Sequence, residues 1–407
     1  MMSQTVKSRP HVNTATVTDR SRTRDHRIDW LRGIALVSIF INHMPGNRFE
    51  NWTTRNFGFS DAAELFVLLA GIAAALAFFP RMQRGDHAGV AFKAVRRACV
   101  LYGAHIFSTI AAVSVFVAAA WLLENDAILE LIGVSPILVD PLSGLVSVLM
   151  GGHQLGYFNI LPLYVFLILL VPGLLWLAAR DVRLMLAASL AMYLSAHLLP
   201  VDMPNFPTDG GWFFNPFAWQ LVFFTGFALM SGWLPAPPIR RSLIWLAAVV
   251  LLLSVPFAWY KAIDALPFVQ VWRRDWLVLI DKSGFGILRY VHFLALAYLA
   301  WVAVGPGGRR LTGGPVVTRA VRVISGVGQQ SLAVFATSMV LARVLGAVLY
   351  LGGSGPLVTL AVNLVGLATV IGVAALMRVI KRQPWTTARS PGVAPRVAEA
   401  VPEGVRT

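Results

Sequence analysis

Leu31-Arg32-Gly33-Ile34-Ala35-Leu36-Val37-Ser38-Ile39-Phe40-Ile41-Asn42-His43 is an apolar run with a fixed cation near one end and an imidazole at the other. Eleven residues at about 100° each make almost three helical turns, so Arg32 and His43 share one helix face, about 16 Å apart along the axis. The run reads as a membrane span, where an ionisable group costs on the order of 3 kcal/mol on insertion scales. Groups placed there at that cost usually face a bundle interior or a watery cavity and serve a purpose.

The rest of the chain supports a membrane setting. It is 57% hydrophobic and 13% charged over 407 residues, with 24 Phe and 13 Trp, outside the range of soluble globular proteins. Ten apolar stretches are long enough, or nearly so, to cross a core of about 30 Å: 28–45, 60–79, 99–123, 157–177, 184–200, 216–233, 242–260, 287–304, 331–350 and 357–378. The fold class expected is an all-α polytopic membrane protein of about ten transmembrane helices. With the N-terminus inside, the alternating segments facing the cytoplasm carry 25 of the 34 Lys and Arg. The outer segments carry six: Arg48, Arg55, Lys261, Arg273, Arg274 and Lys282. That asymmetry predicts both termini in the cytoplasm.

The same sorting accounts for the net charge of +15 without nucleic acid, because the cations are scattered among short loops facing an anionic leaflet. Membrane lipid is the expected partner, and nucleic acid is not. The one cysteine, Cys99, excludes an intrachain disulfide. Polar segments 1–24 and 381–407 read as disordered cytoplasmic tails around one membrane domain at 25–380, and the first span reads as an uncleaved anchor. Segments 124–156 and 261–286 contain apolar pieces that read as interfacial helices able to roof a cavity. Pro204, Pro207, Trp212 and Phe214 in 201–215 read as an aromatic rim. No internal repeat of the kind found in inverted-repeat transporters stands out.

Several side chains are candidates for chemistry. His43 closes the first span at its outer end, where a neutral imidazole can take a proton from a hydroxyl; the alternative is a helix-terminal His among lipid headgroups. Ser60-Asp61-Ala62-Ala63-Glu64 opens the second span at the same face. There Asp61 or Glu64 could orient the imidazole, or the two could form a capping box. Arg32 follows Asp29 by three residues, which suits either an internal ion pair or an anion contact. Lys93-Ala94-Val95-Arg96-Arg97 before the third span suits either a cytoplasmic anchor or a phosphate site. Arg289 and His292 open the eighth span from outside and are possible acceptor-side residues; Arg343 lies in the ninth. His105, His153 and His197 are isolated and read as structural. No His or Cys cluster has metal-ligand spacing, and no metal is expected.

These segments resemble the OpgC family, membrane succinyltransferases of osmoregulated periplasmic glucans, within the wider acyltransferase-three group. The resemblance rests on Arg24-Asp25-His26-Arg27-Ile28-Asp29-Trp30-Leu31-Arg32-Gly33 and on Phe57-Gly58-Phe59-Ser60-Asp61-Ala62-Ala63-Glu64-Leu65-Phe66-Val67. Asn215-Pro216-Phe217-Ala218-Trp219-Gln220 and His292-Phe293-Leu294-Ala295-Leu296-Ala297-Tyr298 support it. It implies an enzyme of the bacterial inner membrane that moves an acyl group, succinyl or acetyl, from cytoplasmic acyl-CoA to a hydroxyl of an extracytoplasmic glycan. In that group a basic residue precedes the first-helix His by ten intervening positions, as Arg32 precedes His43. The basic pair matching Arg96 and Arg97 is there assigned to acyl-CoA phosphates. Two departures stand out: Ala70 replaces an expected Ser, and Gln329 with Gln330 replaces a more basic pair.

The residues and the resemblance together suggest direct acyl transfer, with His43 as base supported by Asp61 or Glu64 and with Arg32, Arg96 and Arg97 holding the donor. Cys99 lies a membrane's depth from His43, which disfavours it as an acyl carrier. The rival reading is a transporter or flippase for a glycan or lipid-linked sugar. A purely structural scaffold leaves Arg32, His43 and Glu64 without a role.

Overall fold

The computed structural model describes residues 25–156, 158–199, 201–206 and 209–382. The expectations for the tails 1–24 and 383–407, for Arg24 and for Pro207 lie outside the described residues. Every named element among the described residues is a helix; Pro204 and Gly211 add one isolated bridge. The helices longer than ten residues are α1 (His26–Asn42), α2 (Ala62–Gln83), α3 (His87–Leu122), α4 (Ile160–Ala178), α5 (Val182–Leu198), α6 (Pro216–Ser231), α7 (Arg241–Ala258), α8 (Ile287–Val304), α9 (Pro315–Gln329), α10 (Ser331–Gly352) and α11 (Pro356–Arg382).

All ten apolar stretches fall on these helices, and seven of the helices are long and apolar enough to cross a membrane: α2, α3, α4, α7, α8, α10 and α11. α1, α5 and α6 have 17, 17 and 16 residues. At 1.5 Å per residue that is about 25 Å, short of a core of about 30 Å. Their lengths follow from local stops and starts. Asp25, Asp181 and Asn215 cap the three N-termini by accepting backbone N–H bonds. α1 ends at His43, two residues before Pro45 and three before Gly46, whose φ of +75° suits only glycine without strain.

Two parts of the chain differ from the sequence reading. Residues 80–98 read as a cytoplasmic segment, yet α2 runs on through Pro80 to Gln83 and α3 starts at His87. Lys93 to Arg97 therefore sits on α3 itself, because Asp86 caps that helix at Gly89 with a 2.8 Å bond before the apolar region begins. Residues 305–330 read as a cytoplasmic segment with a helix entry from Gly326, but they contain α9 (Pro315–Gln329), whose C-terminal end, from Ser325 to Gly328, is buried. Lys381 and Arg382, expected in the C-terminal tail, belong to α11.

Close glycine contacts set the packing. A Cβ at Gly71 would overlap the Phe223 carbonyl and one at Gly226 the Leu68 carbonyl, so α2 and α6 meet backbone to backbone. Gly33 and Gly328 do the same for α1 and α9, against the carbonyls of Ile324 and Asp29. These crossings fix α2 among α1, α6 and α4, around a core that includes Leu36, Phe40, Phe66, Trp219, Phe223 and Phe335. A smaller cluster of Phe116, Ile128, Ile132, Val148 and Leu155 ties 124–156 to the far end of α3.

Candidate functional site

A cavity of about 590 Å³ opens at the His43 end of the bundle. The end of α1, the start of α2 and the start of α4 make its floor. Segment 258–282 contributes Tyr260, Arg273, Ile280 and Lys282, and loop 201–215 contributes Phe213 and Phe214. Of the two apolar segments expected to roof a cavity, 261–286 does so; no residue of 124–156 lines it.

His43 stands in this cavity as the residue that ends α1. The Ile39 carbonyl is among the last carbonyls of the helix, which lack the usual partner one turn on. It accepts the His43 backbone N–H at 3.0 Å and Nδ1–H of the ring at 2.7 Å. A carbonyl only accepts, so Nδ1 carries the proton and Nε2 the lone pair. That is the tautomer a general base needs.

The two acids form the capping box that was one of the two alternatives. Asp61 accepts from the Ala63 N–H and Glu64 from the Asp61 N–H, each at 2.8 Å. Each carboxylate also binds a cation from a distant segment: Asp61 meets Lys282 at 2.5 Å and Glu64 meets Arg289 at 2.7 Å. Glu64 is fully buried. Neither acid hydrogen-bonds the His43 ring, whose orientation among the described residues comes from Ile39. Their oxygens instead pin α8 and the segment before it onto the start of α2. Asp61, Lys282 and Arg343 lie close enough to act on any charge at His43.

Arg289 lines the cavity, and its Nε also donates to the Ile280 carbonyl at 3.3 Å. His292 does not line it. Its Nδ1 meets the Ser60 hydroxyl at 2.7 Å, and its ring fills the space a side chain at Gly58 would need, so it holds the rim in place. Arg55 pairs with Glu50 at 2.9 Å, and Arg273 donates to the Phe257 carbonyl.

The other candidates lie elsewhere. Arg32 donates to the Leu69 carbonyl on α2 at 3.1 Å, and Asp29 accepts from Gln329 at 3.3 Å. Arg96 is exposed, and the Arg97 guanidinium lies 5.9 Å from the Tyr164 ring centre. Lys93 donates to the Ala77 carbonyl at 2.7 Å. None of Arg32, Arg96 and Arg97 lines the cavity. Arg343 is buried and donates to the Leu131 carbonyl at 3.1 Å. His153 and His197 bond the carbonyls of Gly133 and Tyr193. His105 is wholly buried with no partner for either ring nitrogen. Among the described residues no three His, Cys, Asp or Glu side chains gather as metal ligands.

A family model described as OpgC protein matches residues 24–382. The chain belongs to the OpgC family. Comparison with curated proteins and with solved structures gives no match. OpgC membership points to a membrane acyltransferase acting on glucans, and the apolar helices are those of a membrane protein.

Sequence reasoning missed Lys282, Arg273, Arg55 and Asn159 as cavity residues of this OpgC chain. A signal for the first three was available. Only six cations fall in the predicted outer segments against 25 inside, and three of those six line the cavity. A cation that runs against the positive-inside bias is one that has another task.

Proposed function

We propose that this OpgC-family chain is an integral membrane O-acyltransferase, moving a succinyl or acetyl group from cytoplasmic acyl-CoA to a hydroxyl of an extracytoplasmic glycan, with His43 as general base. The observation that carries the reading is the place of His43: Nδ1–H is tied to its own helix, and the imidazole lines an open cavity. The cavity has room for a sugar ring and carries aromatic and amide side chains suited to one. Acyl transfer needs no protein nucleophile. Nε2 takes the proton of the acceptor hydroxyl, the oxygen adds to the thioester carbonyl, the C–S bond breaks, and the imidazolium returns the proton to the departing thiolate.

In this reading ten spans cross the bacterial inner membrane with both termini in the cytoplasm, α1, α5 and α6 being completed by their flanking residues. The His43 end faces out. Asp61 and Glu64 act through Lys282 and Arg289, which they hold at the cavity wall. Arg289 faces the acceptor, and His292 supports the rim. Arg32, Arg96 and Arg97 hold the donor at the opposite end, as the likeness to the wider acyltransferase-three group suggests.

The test is release of free CoA by purified protein in nanodiscs, from succinyl-CoA and from acetyl-CoA, with and without periplasmic glucan. Acceptor-dependent release from either donor supports the reading and identifies the acyl group. Bound acyl-CoA with no release under any pairing counts against it.

A further inference from the structure

Among the described residues, the cavity holds one buried polar side chain that makes no hydrogen bond within the protein. Five asparagines are buried among the described residues: Asn47, Asn56, Asn159, Asn215 and Asn363. Asn47 and Asn363 bond each other at 3.0 and 2.8 Å. Asn56 donates to the Asn51 carbonyl and accepts from the Tyr260 N–H. Asn215 caps α6 and donates to the Val201 carbonyl. Asn159 is the exception. It is 93% buried, its Oδ1 has no partner, and its amide takes part in no side-chain hydrogen bond. It occupies the position before α4 where an asparagine normally caps the helix, yet it makes no capping bond. A buried amide without a partner calls for an explanation in a ligand or a catalytic role.

Its surroundings supply one. Asn159 lines the same cavity as His43, and it stands at the N-terminus of a 19-residue helix, where the dipole favours negative charge. The next residue, Ile160, belongs to two walls at once. It lines the cavity, and it lines a narrow apolar gap between α2 and α4 formed with Phe66, Ala70, Leu163 and Tyr164. Tyr164 lies under the Arg97 guanidinium. Ile160 thus belongs both to the chamber that holds His43 and to the α2–α4 contact whose Tyr164 ring centre lies 5.9 Å from the Arg97 guanidinium.

We propose that Asn159 is a catalytic residue, whose amide N–H donates to the thioester carbonyl oxygen as that oxygen gains negative charge. The inference rests on the acyltransferase reading. In the transfer the acceptor oxygen forms its bond to the carbonyl carbon while its proton passes to His43 Nε2. The carbonyl electron pair moves onto the oxygen held by Asn159 and the positive end of α4. When that pair returns, the C–S bond breaks, and the thiolate takes the proton from His43. A donor aimed at the developing oxyanion stabilises the transition state more than the bound thioester, so its loss falls on kcat and not on KM. Removing one such donor lowers kcat by about 100- to 1,000-fold.

The experiment compares wild type, Asn159→Ala and Asn159→Leu in nanodiscs, reading CoA release over a range of donor and acceptor concentrations together with thermal unfolding. Because the amide bonds nothing in the protein, both variants keep the wild-type unfolding temperature or exceed it. The expected result is a kcat lower by about 100-fold or more with KM for both substrates within about threefold. Variants that fold and turn over within threefold of wild type overturn the role of Asn159 while leaving the acyltransferase reading intact. A variant that unfolds at lower temperature, or whose loss lies in KM, also overturns it, since a packing or binding role predicts that pattern. A folded wild type that releases no CoA from any donor overturns the reading itself and this inference with it.

Discussion

Arg289→Met strands a carboxylate. Glu64 has no solvent exposure and the Arg289 side chain is 11% exposed, so water cannot replace the guanidinium held at 2.7 Å. Removing one partner from a buried pair costs about 3–5 kcal/mol, because the other charge stays behind uncompensated. The neighbouring pair sets the scale. Lys282 and Asp61 have side chains 28% and 10% exposed, so water screens what remains after Lys282→Met, and about 1–2 kcal/mol is expected there. The double variant Glu64→Gln with Arg289→Met carries no stranded charge, and the Gln carbonyl oxygen can still accept the Asp61 N–H that Glu64 takes at 2.8 Å. It should recover about 2 kcal/mol relative to Arg289→Met alone. Reversible unfolding by SDS in mixed micelles, followed by circular dichroism, measures all four proteins. A double variant no more stable than Arg289→Met, or a Lys282→Met deficit as large as that of Arg289→Met, would refute the assignment of Arg289 as the counter-charge of a buried acid.

Three further outcomes follow from the geometry. Gly71→Leu forces a side chain into the Phe223 carbonyl across the α2–α6 crossing and should cost about 3 kcal/mol or more, whereas Gly103→Leu, with nothing within 4 Å, should leave the unfolding temperature unchanged. Burial raises the Asp202 carboxyl to about 6, and the residue is only partly buried. Its contribution to stability is therefore complete below pH 4 and lost as pH rises through 6, so Asp202→Asn should flatten the pH profile over that window and add about 1 kcal/mol at pH 8 in chemical unfolding. For topology, in a Cys99→Ala background, Trp52→Cys should react with an impermeant maleimide from outside intact cells and Val316→Cys only after permeabilisation, both positions being about four-fifths exposed; the reverse pattern would invert the proposed orientation.

The parts of the fold legible in the sequence are those with a strong local cause. Apolar length located ten helices, and the Ser60-Asp61-Ala62-Ala63-Glu64 pattern located the capping box that opens α2. α9 was hidden because Arg319 and Arg322 break its apolar run and Gly326 and Gly328 read as the entry to the next helix. Those glycines are there because Gly328 meets the Asp29 backbone and Gly326 the Arg378 side chain, neither of which the local sequence reveals. His43 was visible as a candidate cavity residue because an imidazole is costly in a membrane helix. What orients it is local as well: the bond to Ile39 spans one helical turn and uses a carbonyl that every helix end leaves available. Lys282 and Arg289 come from segments more than two hundred residues from the acids they bind, and pairing at that distance leaves no local mark.

The central claim is that His43 removes the acceptor proton. Its most direct test is acyl transfer and acceptor binding measured side by side for wild type and His43→Ala in nanodiscs. A fall in turnover of about 100- to 10,000-fold with acceptor affinity retained is the predicted result. Transfer within threefold of wild type by folded His43→Ala protein would contradict it and remove His43 from the chemistry.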